Sequence, residues 1–362
     1  MTTDELELGR GRDRGVDGPI VVVDDLHTTF ATDRGRVSAV DGVSLTIERG
    51  TTLGIVGESG SGKTVLIRSI MGLLPESAER TGSIRFAGHE IGDLPASRLR
   101  HLWGPEMAMV FQNPLSSLNP VMKIGRQIAE PLRLHFAMDK ATARETSLRL
   151  LRDVDVAEPE RRLDQYPHEL SGGMQQRVMI AIALACGPTV LLADEPTTAL
   201  DVTVQSQILD VIEAQRRDRN MAVVLVTHDL GVVAGHTDHV AVMYGGRLVE
   251  RAPTKDLFAE MLMPYTRALM GSIPRLDDSS HTRLAAIPGR PPDLHDPPSG
   301  CRFAARCAYA RERCHVEEPP LVAATDPDHL YACWYPVGSP EFVEREVQLD
   351  AARPPTAKKA VG

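Results

Sequence analysis

Apolar residues follow two rhythms along this chain. Short blocks rich in valine and isoleucine, at 20–23, 37–46 and 51–56, are bounded by turn-forming residues and predict strands, with Glu48-Arg49-Gly50 as one of the turns. Residues 84–91, with Gly88 inside, predict a short hairpin, and 240–249 predict another around Gly245-Gly246. Two runs, 190–193 and 222–226, are apolar at every position, as expected of central parallel strands buried on both faces. A helical rhythm takes over at 63–73 and through much of 121–186, with clear patches at 148–152 and 174–186; Gly187-Pro188 stops the second. Beyond about residue 262, prolines, cysteines and short irregular segments replace this order. The predicted organisation is a disordered tail at 1–18, a main α/β domain at 19–262, an extension at 263–340 and a flexible tail at 341–362.

Composition narrows the class. Of 362 residues, 42% are hydrophobic and only 4% aromatic, an ordinary balance for a globular protein. The formal charge of −9 argues against a general nucleic-acid binder, which would be basic. No stretch approaches the roughly 18 apolar residues of a membrane helix, and the first 18 residues are charged and polar, unlike a secretory signal. The expectation is a cytoplasmic protein whose membrane role, if any, comes through a partner.

The segment Gly57, Glu58, Ser59, Gly60, Ser61, Gly62, Lys63, Thr64 fits G-x-x-x-x-G-K-[ST] without a mismatch, between a predicted strand and a predicted helix. Such glycines let backbone N–H groups curl around phosphate oxygens, and the helix N-terminus adds positive potential. Lys63 is placed for the β- and γ-phosphates of ATP, and Thr64 for Mg²⁺. The run 191–193 leads into Asp194 and Glu195. Asp194 suits Mg²⁺, and Glu195, on the alternate face, suits the general base that polarises the attacking water. His228 and Gln112 also follow apolar runs. His228 suits a contact to the γ-phosphate and the orientation of Glu195; the Gln112 amide suits both Mg²⁺ and the lytic water. Taken singly, each also reads as an ordinary strand-end or loop residue.

A second anion-binding helix start occurs at Leu-Ser-Gly-Gly-Met-Gln-Gln-Arg, 170–177. Ser171 is a good N-cap, and Gly172 and Gly173 bare the backbone N–H groups. One nucleotide does not need two such ends from one subunit; a head-to-tail dimer does.

Cys301, Cys307, Cys314 and Cys333 show C-x5-C-x6-C-x18-C spacing. Four thiolates suit a structural zinc or a [4Fe–4S] cluster, and unmetallated thiols are the third reading. Cys186 reads as a core residue.

In order, these motifs resemble those of ATP-binding cassette (ABC) transporter ATPases. Gly57 to Thr64 is similar to their Walker A motif, Gln112 to the Q-loop, Leu170 to Gln175 to the signature and Leu191 to Glu195 to Walker B. Ala199-Leu200-Asp201 resembles the D-loop, and His228 the switch histidine. The run Phe-Gln-Asn-Pro-Leu-Ser-Ser-Leu-Asn-Pro at 111–120, with Met-Pro-Tyr-Thr-Arg-Ala-Leu and the cysteine segment of 263–337, resembles the dipeptide/oligopeptide importer branch, which also includes nickel and some sugar importers. The resemblance implies a RecA-like P-loop core with an antiparallel β subdomain, a helical signature subdomain and a small irregular cysteine-containing extension. It implies a transport-coupled ATPase at the cytoplasmic face of the membrane. Its partners would be a second, paralogous cassette, two permease subunits and, indirectly, an extracytoplasmic peptide-binding protein. By the same resemblance Gln175 belongs to the ATP-facing signature, Asp201 reaches across the dimer, the extension carries an iron–sulfur cluster, and an early-loop aromatic stacks on adenine. Phe30 is the nearby aromatic; its alternative role is packing in the small β subdomain. The cargo, and whether the second cassette is identical or paralogous, are not written in the chain.

Overall fold

The computed structural model describes residues 18–198, 200–272 and 287–351. Nearly all of the tail read at 1–18, Ala199 of the D-loop segment and residues 352–362 lie outside them. Among the described residues twelve strands form: β1 (Val21–Thr32), β2 (Gly35–Ile47), β3 (Thr52–Val56), β4 (Ala78–Phe86), β5 (His89–Glu90), β6 (Met107–Val110), β7 (Val190–Asp194), β8 (Ala222–Thr227), β9 (His239–Tyr244), β10 (Arg247–Pro253), β11 (Val322–Ala323) and β12 (Leu330–Tyr331).

They assemble into two sheets. The order β2-β1-β4-β5 makes a four-stranded antiparallel sheet, and β11-β12-β10-β9-β3-β8-β7-β6 an eight-stranded mixed one. Strands β9, β3, β8, β7 and β6 run parallel, and β10, β12 and β11 extend the sheet antiparallel. The continuous apolar runs explain the centre: every residue of β3, β7 and β8 is buried. Their alternating side chains feed two cores. Val190, Leu192, Val224 and Val226 join Leu66, Ile67 and Ile70 of the helix Lys63–Met71. Leu191, Ala193, Val223 and Leu225 join Val178, Ile180 and Ile208 on the other face. The helices Ile124–Phe136, Lys140–Asp153, Pro159–Arg162 and Gly172–Leu184 form the signature-bearing subdomain. Asp139 caps the second of these by accepting from the Ala141 and Thr142 N–H groups.

The extension is built into the main domain. Strand β12 pairs with β10, and Tyr244, Val249, Met263, Tyr265, Leu269 and Phe303 share one buried cluster. Buried Glu250 accepts from the Leu262 and Met263 N–H groups (2.6 and 3.2 Å) and from His329 Nε2 (2.9 Å), tying both sides of the expected boundary together. The flexible tail expected from 341 instead begins as a helix, Pro340–Ala351. Phe342 explains the difference: it is 1% exposed and its ring stacks on Tyr309 at 4.0 Å, an anchor that a mostly charged stretch conceals. Among the described residues no helix is long and apolar enough to cross a membrane.

Candidate functional site

Strands β3, β6, β7 and β8 are parallel, so their carboxyl ends share one edge of the sheet, where ligands bind in open α/β sheets. Gly57 follows β3, Gln112 lies just past β6, Asp194 ends β7 with Glu195 next, and His228 follows β8. Five residues from four distant parts of the sequence are thereby gathered by topology alone.

The glycine loop curls between β3 and the helix Lys63–Met71. A side chain at Gly57 (φ +153°) would stand 2.2 Å from the Met243 carbonyl, and one at Gly62 (φ +101°) 2.3 Å from that of Ala39, so both positions require glycine. Lys63 is buried, and its Nζ donates to the carbonyls of Gly57 (2.8 Å) and Glu58 (3.0 Å). Burial holds its pKa below the ordinary lysine value, against the opposing pull of Glu195, Asp194 and Glu58. Ser59 and Gly60 are exposed at the loop crest, while Ser61 is buried with its Oγ unpartnered.

Thr64 Oγ1 donates to Asp194 Oδ1 at 2.8 Å. Asp194 is fully buried, its Oδ2 has no hydrogen-bond partner, and burial pushes its carboxyl above the usual range. An orphaned buried carboxylate oxygen beside a threonine hydroxyl is a hard, all-oxygen donor set of the kind Mg²⁺ takes. Glu195 carries φ +46°, a left-handed turn uncommon for a residue other than glycine. Its Oε2 accepts from Gln112 Nε2 (2.9 Å) and Thr198 Oγ1 (2.8 Å) and faces His228 Nδ1 at 3.5 Å. One carboxylate oxygen thus gathers the glutamine, the histidine and a threonine that sequence reading passed over inside Pro196-Thr197-Thr198.

Ser171 caps the helix Gly172–Leu184 by accepting from the Met174 N–H at 3.4 Å, and Gly172 is exposed with open space around its Cα. Gly173 is half-buried, 3.0 Å from Val204 if given a Cβ. Gln175 differs from its sequence grouping. It is 4% exposed, and its amide donates inward to the carbonyls of Pro167 (2.8 Å) and Leu170 (3.2 Å), so it props the signature loop from beneath. Asp201 caps the next helix, Val202–Arg219, accepting from the Val204 N–H at 3.0 Å beside the exposed Val202. Among the described residues no hydrogen bond joins the Ser171 helix to the glycine loop. Phe30 is half-buried on β1, opposite Val37 and Ala78, and outside the three buried clusters.

The four extension cysteines line one small apolar cavity with Phe303, Tyr309 and Trp334. Burial pushes the thiols of Cys301, Cys307 and Cys333 up to about 11, 12 and 12, each raised further by neighbouring thiols. Backbone N–H groups of Phe303, Tyr309 and Tyr335 point at these three sulfurs and favour their charged form. The donor set suits a four-thiolate centre, but the free cavity, about 20 Å³, has room for little more than about one water molecule. Among the described residues no group of three or more His, Cys, Asp or Glu side chains is closed into a metal-holding arrangement. Cys186 is buried as expected, its thiol pushed up to about 11.

Two further residues bear on the site, both from extension stretches whose resemblance gave no role at the ATP site. Tyr265 Oη accepts from the Glu58 N–H at 2.9 Å, and Arg306 grips the Glu58 carboxylate.

Comparison with known proteins places this geometry in context. Residues 40–198 match the family model described as ABC transporter, and residues 249–314 match that of the oligopeptide/dipeptide transporter C-terminal region. The oligopeptide transport ATP-binding protein OppD of Salmonella typhimurium is 48% identical over 88% of this chain and 94% of its own length. OppD of Escherichia coli is 48% identical over 87% and 93%. Among solved structures, a dimeric bacterial ABC transporter cassette superposes with a TM-score of 0.59 at 28% identity, covering 65% of this chain and 98% of that one. A post-hydrolysis dimer of the same cassette bound to ADP and Pi matches with the same values.

Proposed function

The chain belongs to the ABC transporter ATPase family, and we propose that it is the ATP-hydrolysing subunit that powers import of di- and oligopeptides across a membrane. The observation that carries this is Glu195 Oε2, on which Gln112, Thr198 and His228 converge at the sheet edge that also bears Lys63, Thr64 and Asp194. Likeness to two OppD proteins over nearly their whole length supports the peptide cargo. Nickel or another small solute is the second reading.

In this assignment the triphosphate of ATP lies in the glycine loop, residues 57–64, with Lys63 at the β- and γ-phosphates. Thr64, Asp194 and Gln112 hold Mg²⁺, which when bound neutralises charge developing on the phosphates. Glu195 takes the proton of the attacking water as general base, Gln112 positions that water, and His228 contacts the γ-phosphate and orients Glu195. Phe30 stacks on adenine. Ser171, Gly172 and Gly173 of a second cassette close over the γ-phosphate, with Gln175 supporting that loop and Asp201 reaching the opposite site. The dimeric relatives support this arrangement. A paralogue as the second cassette, two permeases and an extracytoplasmic peptide-binding protein complete the machine, which sits peripherally on the cytoplasmic face of the membrane. The permeases dock in the groove near Gln112 to Gln127, where Val121 is exposed; Leu134 and Phe136 are exposed further along the chain. Phe136 also lines the wall of a cavity of about 850 Å³. Closure on ATP is then a two-state change biased by its ligand.

Replacing Glu195 by Gln keeps the volume and removes the base. ATP hydrolysis by the assembled transporter should fall by about 10²–10⁴-fold with ATP binding retained; a wild-type rate would remove Glu195 from its role. For the cysteine cavity we infer a structural four-thiolate metal centre, [4Fe–4S] before zinc, on donor chemistry alone. Iron, sulfide and zinc analysis after anaerobic purification decides, and a metal-free folded protein refutes it.

A further inference from the structure

The glycine loop holds one carboxylate, Glu58, in a place built to receive an anion. An unpaired negative charge there would repel a triphosphate. It is paired from 248 residues away: Arg306 Nη1 donates to Glu58 Oε2 at 2.5 Å and Nη2 to Oε1 at 2.9 Å, a two-pronged grip. The arginine side chain is 4% exposed and the glutamate 26%. The remaining N–H groups of Arg306 are also used. Nε donates to the Pro288 carbonyl (2.9 Å), Nη1 also to Tyr244 Oη (3.2 Å), and Nη2 also to the Ile287 carbonyl (3.1 Å). With all five donors engaged, Arg306 has nothing left with which to touch a nucleotide.

Residue 58 is held at every polar group. Its N–H donates to Tyr265 Oη, its carboxylate lies on Arg306, and its carbonyl receives Lys63 Nζ. Tyr265 is fully buried, its ring 4.5 Å from that of Tyr244 and 5.3 Å from that of Phe303. Four residues before Arg306, Arg302 donates to the Gly245 carbonyl and to Asp41. The next residue, Gly246, donates its N–H to the Ser61 carbonyl of the glycine loop at 3.0 Å. The extension therefore reaches the loop twice, at Glu58 directly and at Ser61 through the Gly245-Gly246 turn.

We propose that Arg306 is a positioning residue of the ATP site: it neutralises and fixes Glu58, and through the Glu58 carbonyl it aims Lys63. Nucleotide affinity is thereby set in part by the C-terminal extension. The inference rests on the reading of residues 57–64 as the ATP site, and the Glu195→Gln test of hydrolysis does not depend on it.

The experiment titrates the full-length protein with Mg²⁺ and a non-hydrolysable ATP analogue, alongside ATPase kinetics of the assembled transporter. Arg306→Gln should weaken binding and raise KM by about tenfold, with kcat at saturation changed less than about twofold. Adding Glu58→Gln to Arg306→Gln removes the stranded charge and should restore most of the affinity, which a merely structural role would not do. Arg313→Ala, which breaks an exposed Glu317 pair in the same extension, should leave affinity as it was. Affinity unchanged in folded Arg306→Gln, or no recovery on adding Glu58→Gln, overturns the proposal. Should Arg306→Gln not fold, Arg306→Lys keeps the charge and loses the fork. It should then weaken binding about threefold, and an unchanged affinity overturns the proposal equally. If no variant binds nucleotide, wild type included, the fault lies with the ATP-site reading instead.

Discussion

Replacing Glu250 by alanine removes one carboxylate and strands three donors. Glu250 is fully buried on β10, and its partners are the N–H groups of Leu262 and Met263 and Nε2 of His329, itself 5% exposed. A buried donor left without an acceptor costs about 1–3 kcal/mol, so three would cost about 3–9 kcal/mol with no relaxation. Water entering the space vacated by the side chain would recover part of this, as is usual when one partner of a buried charged contact is removed, and the expected loss is about 4 kcal/mol. Glu250→Gln retains the volume and one acceptor oxygen, but turns an amide NH₂ toward a donor, and should cost about half as much. A chain of this size need not unfold in one step, so the readout must be local. Hydrogen exchange at Leu262, Met263, Tyr331 and Ala332 should quicken in Glu250→Ala while β7 and β8 stay protected. Protease should cut first within the extension. Because that segment carries Arg306, affinity for nucleotide should fall in the same variant. Unchanged exchange at these amides, or a loss below about 1 kcal/mol, would refute the idea that this carboxylate staples the extension to the main domain.

Phe342→Ala should free the helix Pro340–Ala351. The lost burial, the stack on Tyr309 and the Arg267 guanidinium 5.4 Å over the ring amount to about 3 kcal/mol, read as new proteolysis beyond residue 339 with nucleotide binding retained. Acid sensitivity should trace in part to Asp41. Burial pushes its carboxyl up, but Arg247 and Arg302 outweigh it and hold the folded pKa below the usual value. Its contribution is therefore complete above about pH 4 and disappears as the pH falls through the lower folded value. Melting temperatures measured below about pH 4 should fall less steeply in Asp41→Asn than in wild type, and parallel curves would contradict the assignment.

What could be read from the chain, and what could not, divides along a physical line. The glycine loop, the acids closing β7 and the serine-glycine helix start work through backbone groups and near neighbours, so their chemistry is written in consecutive residues. The central strands were legible for the same kind of reason: apolar at every position, they admit only burial on both faces. Phe342 was not, because one aromatic among charged residues sets no period, and Gln175 was not, because its position in a motif says nothing about which way its amide points. Thr198 sits three residues from Glu195 and was still passed over, since only the left-handed turn at Glu195 brings its hydroxyl to that carboxylate. Glu58 marks the limit most sharply. Within the loop it looks like a spacer, since any residue can supply the backbone there, and an acid beside a phosphate site makes no electrostatic sense alone. Its sense comes from Arg306, 248 residues on, through a contact that neither segment signals locally. A charge that looks misplaced within a well-understood motif is therefore reason to search distant parts of the fold for its counter-ion.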